Sequence, residues 1–329
     1  MKILFFGDGD WATAALQTLI AEHVLLGVVL RRHPTTQRFP DYVSQLGLPV
    51  FSPVKVNASS FRELVFSLQP EVCLSVSYDQ IIGNKLLELP PKGFINLHAA
   101  PLPHYRGRAA VIWQMLNGEP AIGLTTHWMS CQVDRGPIIL QQQVPLGEND
   151  TLQEALEQIN HQIPGLLRET MKRINLPAIR EDAPVETGSS FPRRLPNDEF
   201  IDWGETSRNI HNLIRALSQT DLYAATYGSD GTEIRISGSR LLPEYPRQIG
   251  IPGSVIAAVE EGIIVKTGDT AILLTTVLTG GEETIPRLPL SYRLLNRGEM
   301  RLRRLEQEVT GLSARLARFE RVEQEEYLG

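Results

Sequence analysis

The chain has 329 residues, with 32 Lys and Arg against 38 Asp and Glu, a formal net charge of −6. That acidity argues against a protein that lives on nucleic acid, where basic excess is the footprint. At ~100–200 residues per domain, the length predicts two domains and a small appendage.

Hydrophobic residues make up 42% of the chain and charged residues 21%, an ordinary globular balance. Cys73 and Cys131 lie far apart and have no metal-type spacing, so no metal site is expected and a reduced, cytoplasmic compartment is. The opening Met1–Gly7 holds an apolar run of strand length rather than a signal-peptide core. No stretch approaches the ~20 apolar residues of a membrane span, so no membrane role is expected.

In chain order, Ile3–Phe6 reads as a strand and Asp10–Glu22 as a helix. Val24–Leu30 is a second strand, Asp41–Leu46 a short helix and Val50-Phe51 a brief third strand. Phe61–Leu68 reads as a helix, Val72–Val76 as a strand, Ile81–Leu89 as a helix and Phe94–Ala99 as a strand. A helix over Ala109–Leu116 follows. Strand–helix alternation of this kind predicts an α/β fold with a mainly parallel sheet and helices on both faces. Gly123–Met129 and Pro137–Val144 have no helix between them and read as an antiparallel extension. Thr151–Arg173 carries helical periodicity, capped by Asn149 or Thr151, with a kink or break expected at Pro164. Prolines at 177, 184, 192 and 196 mark a linker. Beyond it, one helix around Ile210–Leu217 and short alternating strands with Gly-rich turns predict a small β-barrel.

The chemistry concentrates between Phe94 and Asp134. On a strand, Asn96 and His98 point to one face, setting an amide beside an imidazole. They lie at the carboxyl end of a parallel strand, where open α/β sheets place their sites. Pro101 and Pro103 then force an extended loop. A carboxylate on a later loop, such as Asp134, would orient the histidine and raise its basicity.

Asn96-x-His98, Pro101-Leu102-Pro103-x-Tyr105-Arg106-Gly107, Gly123-x-Thr125-x-His127-x-Met129 and Asp134-x-Gly136 together resemble the signature of 10-formyltetrahydrofolate-dependent formyltransferases. Past the linker, Ile201-Asp202-Trp203 and Ile210-His211-Asn212-Leu213-Ile214-Arg215-Ala216-Leu217 are similar to the start of that family's C-terminal barrel. The resemblance implies a Rossmann-like catalytic domain over residues 1–178 and, past a linker at 179–198, an OB-like barrel at 199–298; a helical tail at 299–329 lies beyond what the resemblance covers. It implies Asn96, His98 and Asp134 as the catalytic three, with Asn96 and protonated His98 donating to an oxyanion. It also implies a folate pocket formed by Gln80, Ile81, Ile82, Ala100, Pro101, Leu102, Pro103, Arg108, Ser130, Cys131, Gln132 and Val133, largely through backbone groups. Ala100 and Pro101 depart from the family's commoner Ser-Leu, and Pro101 has no N–H to offer. 10-Formyltetrahydrofolate is the formyl donor this resemblance implies. A folate-binding module without catalysis is the alternative of another class, disfavoured by the intact Asn96, His98 and Asp134.

Gly7-x-Gly9-x-x-Ala12 matches a dinucleotide fingerprint, but Arg31 and Arg32 stand where a ribose-binding acid belongs, so it reads as a tight turn. His127 reads first as a partly exposed sheet residue and second as a group lining the site, and Tyr105 and Trp203 read as packing residues. The arginines at 31, 32 and 38 are meagre for docking tRNA, since phosphate binding scales with cationic contacts. The resemblance of Tyr105–Ala109 and Asn117–Glu119 to enzymes formylating nucleotide-linked amino sugars ranks that acceptor first and methionyl-tRNA second. In the tail, Leu302, Leu305, Val309, Leu312, Leu316 and Phe319 follow a coiled-coil rhythm. Arg301, Arg303 and Arg304 open it, while Glu320, Glu323, Glu325 and Glu326 close it, which favours an antiparallel homodimer over a helix packed on the barrel.

Overall fold

The computed structural model describes residues 1–176, 187–218, 223–290 and 292–328, with side chains up to 318. The chain divides into two compact units, residues 1–194 and 195–329.

The first unit runs β1 (Lys2–Gly7), α1 (Gly9–Ile20), β2 (Val24–Leu30), α2 (Arg38–Gln45), β3 (Val50–Phe51), α3 (Ser59–Leu68), β4 (Val72–Val76), α4 (Asn84–Leu87) and β5 (Phe94–His98). It continues with β6 (Arg106–Gly107), α5 (Ala110–Leu116), β7 (Ala121–Trp128), β8 (Ile138–Pro145), α6 (Leu152–Arg173) and β9 (Ser190–Phe191). Among the described residues its main sheet has seven strands in the order β3-β2-β1-β4-β5-β7-β8. The strands from β3 to β5 are parallel, and β7 and β8 add antiparallel. β4 is buried along its whole length and β1 from Ile3 onward, as their unbroken apolar runs require of strands covered on both faces. Phe6 anchors one side, packed edge-on against Phe61 and Tyr78. Because chain order reverses between β1 and β4, a crevice opens beyond their carboxyl ends.

α6 runs unbroken through Pro164, with no break of the kind expected there. Ile159, Ile163, Leu166 and Leu167 on its inner face are at most 1% exposed, and that burial holds the helix across the missing N–H. Its start is a capping box in which Thr151 and Glu154 satisfy each other's backbone N–H. The expected linker also differs. Residues 179–186 lie outside the described residues, but Ser190 and Phe191 pair with Arg106 and Gly107 as part of the first unit. The Phe191 ring stacks on Tyr105 at 5.0 Å and packs on Trp113, which is apolar burial the linker reading did not foresee.

The second unit contains α7 (Ser207–Leu217), β10 (Ala224–Tyr227), β11 (Glu233–Leu241), β12 (Val255–Val259), β13 (Gly262–Lys266), β14 (Ala271–Thr279), β15 (Glu282–Thr284) and α8 (Arg297–Leu328). Its antiparallel sheet follows the order β10-β11-β14-β13-β12, with β15 on β14. The segment Tyr292–Leu295 joins its two edges, bridging Tyr227 through Leu295 and Ser254 through Arg293, so the sheet curls into a small barrel. Trp203 is 1% exposed and donates from Nε1 to Thr226 Oγ1, a packing residue as expected. No helix among the described residues is long and apolar enough to cross a membrane.

Candidate active site

Asn96 and His98 stand on β5, and the antiparallel register sets Asn96 directly opposite His127 of β7, and His98 opposite Thr125. Directly opposed residues share a face, so the sheet itself brings the Asn96 amide to the His127 ring. Asn96 Nδ2 donates to His127 Nε2 at 3.2 Å, and His127 Nδ1 donates to the Trp128 carbonyl at 2.9 Å. Those two bonds fix His127 as the neutral Nδ1–H tautomer. Burial pushes its pKa down to about 4, and nearby His98 acts in the same direction against the opposing pull of Asp134.

Asp134 enters from the loop after β7. Its Oδ2 lies 3.6 Å from His98 Nε2, and its Oδ1 lies 3.7 Å from His127 Nε2. The second approach is a contact rather than a salt bridge, since Nε2 carries no proton. His98 Nε2 donates to the Tyr105 carbonyl at 3.1 Å, leaving Nδ1 as the acceptor of the neutral ring. The short strand β6 grips Asp134. The Gly107 N–H donates to Oδ2 at 2.9 Å, and buried Arg106 donates from Nε to the Asp134 carbonyl at 3.2 Å. Gly107 sits at φ 100° and a Cβ there would lie 2.6 Å from the Phe191 carbonyl oxygen. Gly136, two residues beyond the carboxylate, faces a closer limit, because its Cβ would fall 1.6 Å from the Trp128 carbonyl oxygen. Asp134-x-Gly136 is therefore a packing requirement as well as a chemical one.

These groups border a cavity of 480 Å³ in the crevice beyond β1, β4 and β5. Gln80, Ile81, Ile82, Arg108, Ser130, Cys131, Gln132 and Val133 line it. The Gln80 side chain is occupied by Val56 N and the Pro53 carbonyl, which leaves its backbone for a ligand. Tyr78 Oη and Asp79 Oδ1, on residues of the same wall, are buried without a hydrogen-bond partner among the described residues.

Ala100, Pro101, Leu102 and Pro103 are placed differently. They lie outside the cavity lining, strapped toward β7 and β8. Thr125 Oγ1 donates to the Ala100 carbonyl at 2.6 Å, and Gln141 Nε2 to the Leu102 carbonyl at 2.6 Å. Gly123 lets the loop approach, since a Cβ there would sit 2.3 Å from Pro101 N. Gly107, Ala109 and Ala110 line the cavity in their place. His127 takes the second of its two readings from the sequence. It is 2% exposed and lies within the site, not on an open sheet face. Tyr105 is buried, donates to Glu119 Oε1 at 2.6 Å and packs as expected.

The Gly7–Gly9 turn is tight. A Gly7 Cβ would lie 2.8 Å from the Ala12 Cβ, and Gly9 takes φ 77°. Asp8 occupies it, accepting from Arg31 at 3.1 Å and from the Thr35 backbone and hydroxyl at 2.9 and 2.6 Å. Arg31 Nε also lies 3.3 Å from Asp79 Oδ2, so this arginine is paired with two carboxylates.

An amide, two imidazoles and a carboxylate at the end of a ligand-sized cavity form a site for acyl transfer without a nucleophilic side chain. Residues 1–170 match the family described as formyl transferase, and residues 195–287 match its C-terminal domain. The chain belongs to the formyl transferase family. It is 32% identical over 299 residues to the methionyl-tRNA formyltransferase of Moorella thermoacetica, covering 87% of this chain and 94% of that one. Among solved structures it is similar to a sugar N-formyltransferase from a Shewanella species, with TM-score 0.58, 23% identity and coverage of 74% and 99%. It is also similar to the N-formyltransferase of Helicobacter canadensis in complex with folinic acid and dTDP-3-aminofucose, with TM-score 0.61, 20% identity and coverage of 83% and 99%. The sequence relative does not favour ranking tRNA below a sugar as acceptor.

Proposed function

We propose that this chain transfers the formyl group of 10-formyltetrahydrofolate to the primary amine of a nucleotide-linked amino sugar. The cavity of 480 Å³ falls within the ~300–1,000 Å³ of small-molecule sites. Its apolar Ile81, Ile82, Met129 and Val133, the free backbone at Gln80 and the unpartnered atoms of Tyr78 and Asp79 suit a flat, hydrogen-bonding heterocycle.

The donor supplies a formyl carbon on nitrogen, whose oxygen gains negative charge when an amine attacks. Asn96 commits one Nδ2 hydrogen to His127 and keeps the second for that oxygen. Protonated His98 holds the Tyr105 carbonyl with its Nε2–H, 3.6 Å from Asp134 Oδ2, and has its Nδ1–H for the oxyanion. Asp134, directly or through water, takes the proton from the attacking amine and returns it to the departing nitrogen. His127 stays neutral at working pH, so toward Asn96 it acts only as an acceptor that orients the amide.

For the acceptor, the observation that carries the reading is the state of Arg31. The connection from Leu30 to Arg38 is short, and its first arginine is already paired with Asp8 and Asp79. That leaves the exposed Arg32 and Arg38 on this connection, fewer cationic contacts than the several by which a phosphate backbone is held. Methionyl-tRNA is the second reading, favoured by the 32% identical relative. Supplying the purified chain with 10-formyltetrahydrofolate and either nucleotide-linked amino sugars or methionyl-tRNA separates them. At least one sugar should yield a formamide, with methionyl-tRNA a poor substrate. Efficient formylation of methionyl-tRNA with no sugar accepted would overturn the acceptor assignment.

A further inference from the structure

The family match in the second unit ends at residue 287, yet α8 continues as one helix from Arg297 to Leu328. Its apolar stripe is open to solvent. Leu302 is 58% exposed, Leu305 49%, Val309 61%, Leu312 62% and Leu316 61%. A helix packed on the barrel through this stripe would have covered these residues, so the stripe is not what holds α8 to the barrel. Contiguous exposed apolar surface on this scale marks an interaction face.

The stripe assigns a heptad register. Leu302, Val309 and Leu316 take position a, and Leu305 and Leu312 take position d. The barrel contacts fall elsewhere on the helix. Met300, at f, approaches Gly231, and Arg303, at b, donates to the Ser229 carbonyl at 3.0 Å. Docking to the barrel therefore leaves the a/d seam free. Gly311 falls at c, away from the seam, where an added Cβ would meet nothing within 4 Å.

We infer that α8 pairs with α8 of a second copy of this chain as a parallel two-stranded coiled coil. Flanking charges fix the direction. In a parallel pair, each g residue faces the e residue five positions on in its partner, which sets Arg301 against Glu306 twice across the seam. In an antiparallel pair with the apolar layers matched, g faces g, which sets Arg301 against Arg315 and Glu308 against Glu308. Like charges then line one flank. The end-to-end charge order, which favoured antiparallel pairing, is thus outweighed by side-by-side register, because charges act across a seam at contact distance. β-Branched Val309 at a with Leu at d suits two strands rather than three.

Sedimentation of the full-length chain across ~1–100 μM should show dimers, and Leu305→Glu/Leu312→Glu should raise the dissociation constant at least ~100-fold by placing charge in the seam. Both leucines are exposed in the single chain, so the variant keeps its fold, verified by retained near-wild-type circular dichroism of the barrel and catalytic units. Direction is read by oxidative crosslinking in a Cys131→Ser background. Leu302→Cys should crosslink to itself in a parallel pair, whereas Ser313→Cys should do so in an antiparallel one. Arg301→Glu should weaken the dimer and Arg301→Glu/Glu306→Arg should restore it. A monomer throughout, a dimer indifferent to the glutamates, or crosslinking at Ser313→Cys alone would overturn the inference.

Discussion

Replacing His127 by leucine removes, in one step, the acceptor that Asn96 Nδ2 uses at 3.2 Å and a buried imidazole held neutral beside Asp134. An unsatisfied buried donor costs ~1–3 kcal/mol, which is ~5–150-fold if it is expressed in the barrier through a misoriented amide. The expected result is a fall of that size in kcat with the donor KM nearly unchanged, measured by steady-state formyl transfer. His127→Gln should recover part of the loss, because its amide oxygen can accept from Asn96. The same substitution has a signature in stability. The His127 pKa is lowered from 6.5 to about 4 in the folded state, chiefly by burial. Above 6.5 neither state is protonated and nothing is linked to pH. Between 6.5 and 4 the unfolded chain takes up a proton that the folded chain refuses, so stability falls with pH, by up to ~3 kcal/mol. Denaturant unfolding from pH 8 to pH 4 should show this slope in the native chain and a shallower one in His127→Leu. A folded His127→Leu with native kcat and an unchanged pH slope would refute both the orienting role and the burial argument.

His98→Ala should leave thermal unfolding close to native and cut kcat by ~10²–10⁴, since a positioned proton carrier and oxyanion donor is lost; near-native turnover would remove it from the chemistry. Gly136→Ala should lower both Tm and kcat, because its Cβ would fall 1.6 Å from the Trp128 carbonyl oxygen and must displace the loop that carries Asp134. An unchanged melting curve would show that this loop adapts freely. Gly311→Ala, with open space around the new Cβ, should stabilise α8 by ~1 kcal/mol and raise its helicity in circular dichroism.

Much of the fold was legible because the signals are local. Apolar runs such as Ile3–Phe6 and Val72–Val76 read as buried parallel strands, and the missing helix between residues 129 and 137 announced the antiparallel pair β7 and β8. Pro164 misled for a physical reason. Local propensity predicts disruption there, but four inward apolar residues bury against the sheet and keep the helix continuous. Phe191 misled likewise, since its stacking partner Tyr105 is distant in sequence and nothing near the prolines announces the contact.

The site divides along the same line. Asn96 and His98 were readable as a pair because strand alternation is a two-residue rule. His127 stayed divided between an open sheet face and the site, because its place opposite Asn96 depends on the register between β5 and β7, which no local pattern specifies. Ala100–Pro103 owe their place to contacts equally distant in sequence. Their position follows from Thr125 and Gln141, whose bonds pull the loop away from the cavity. The motif residues around the chemistry thus serve largely to position it. Gly123 and Thr125 seat the proline loop, the Tyr105 carbonyl accepts a hydrogen bond from His98, and Arg106 and Gly107 hold Asp134. Gly136 supplies the clearance that lets Asp134 approach both histidines. A signature this long is dense because one carboxylate, held at φ 53°, needs that many neighbours to keep it in place.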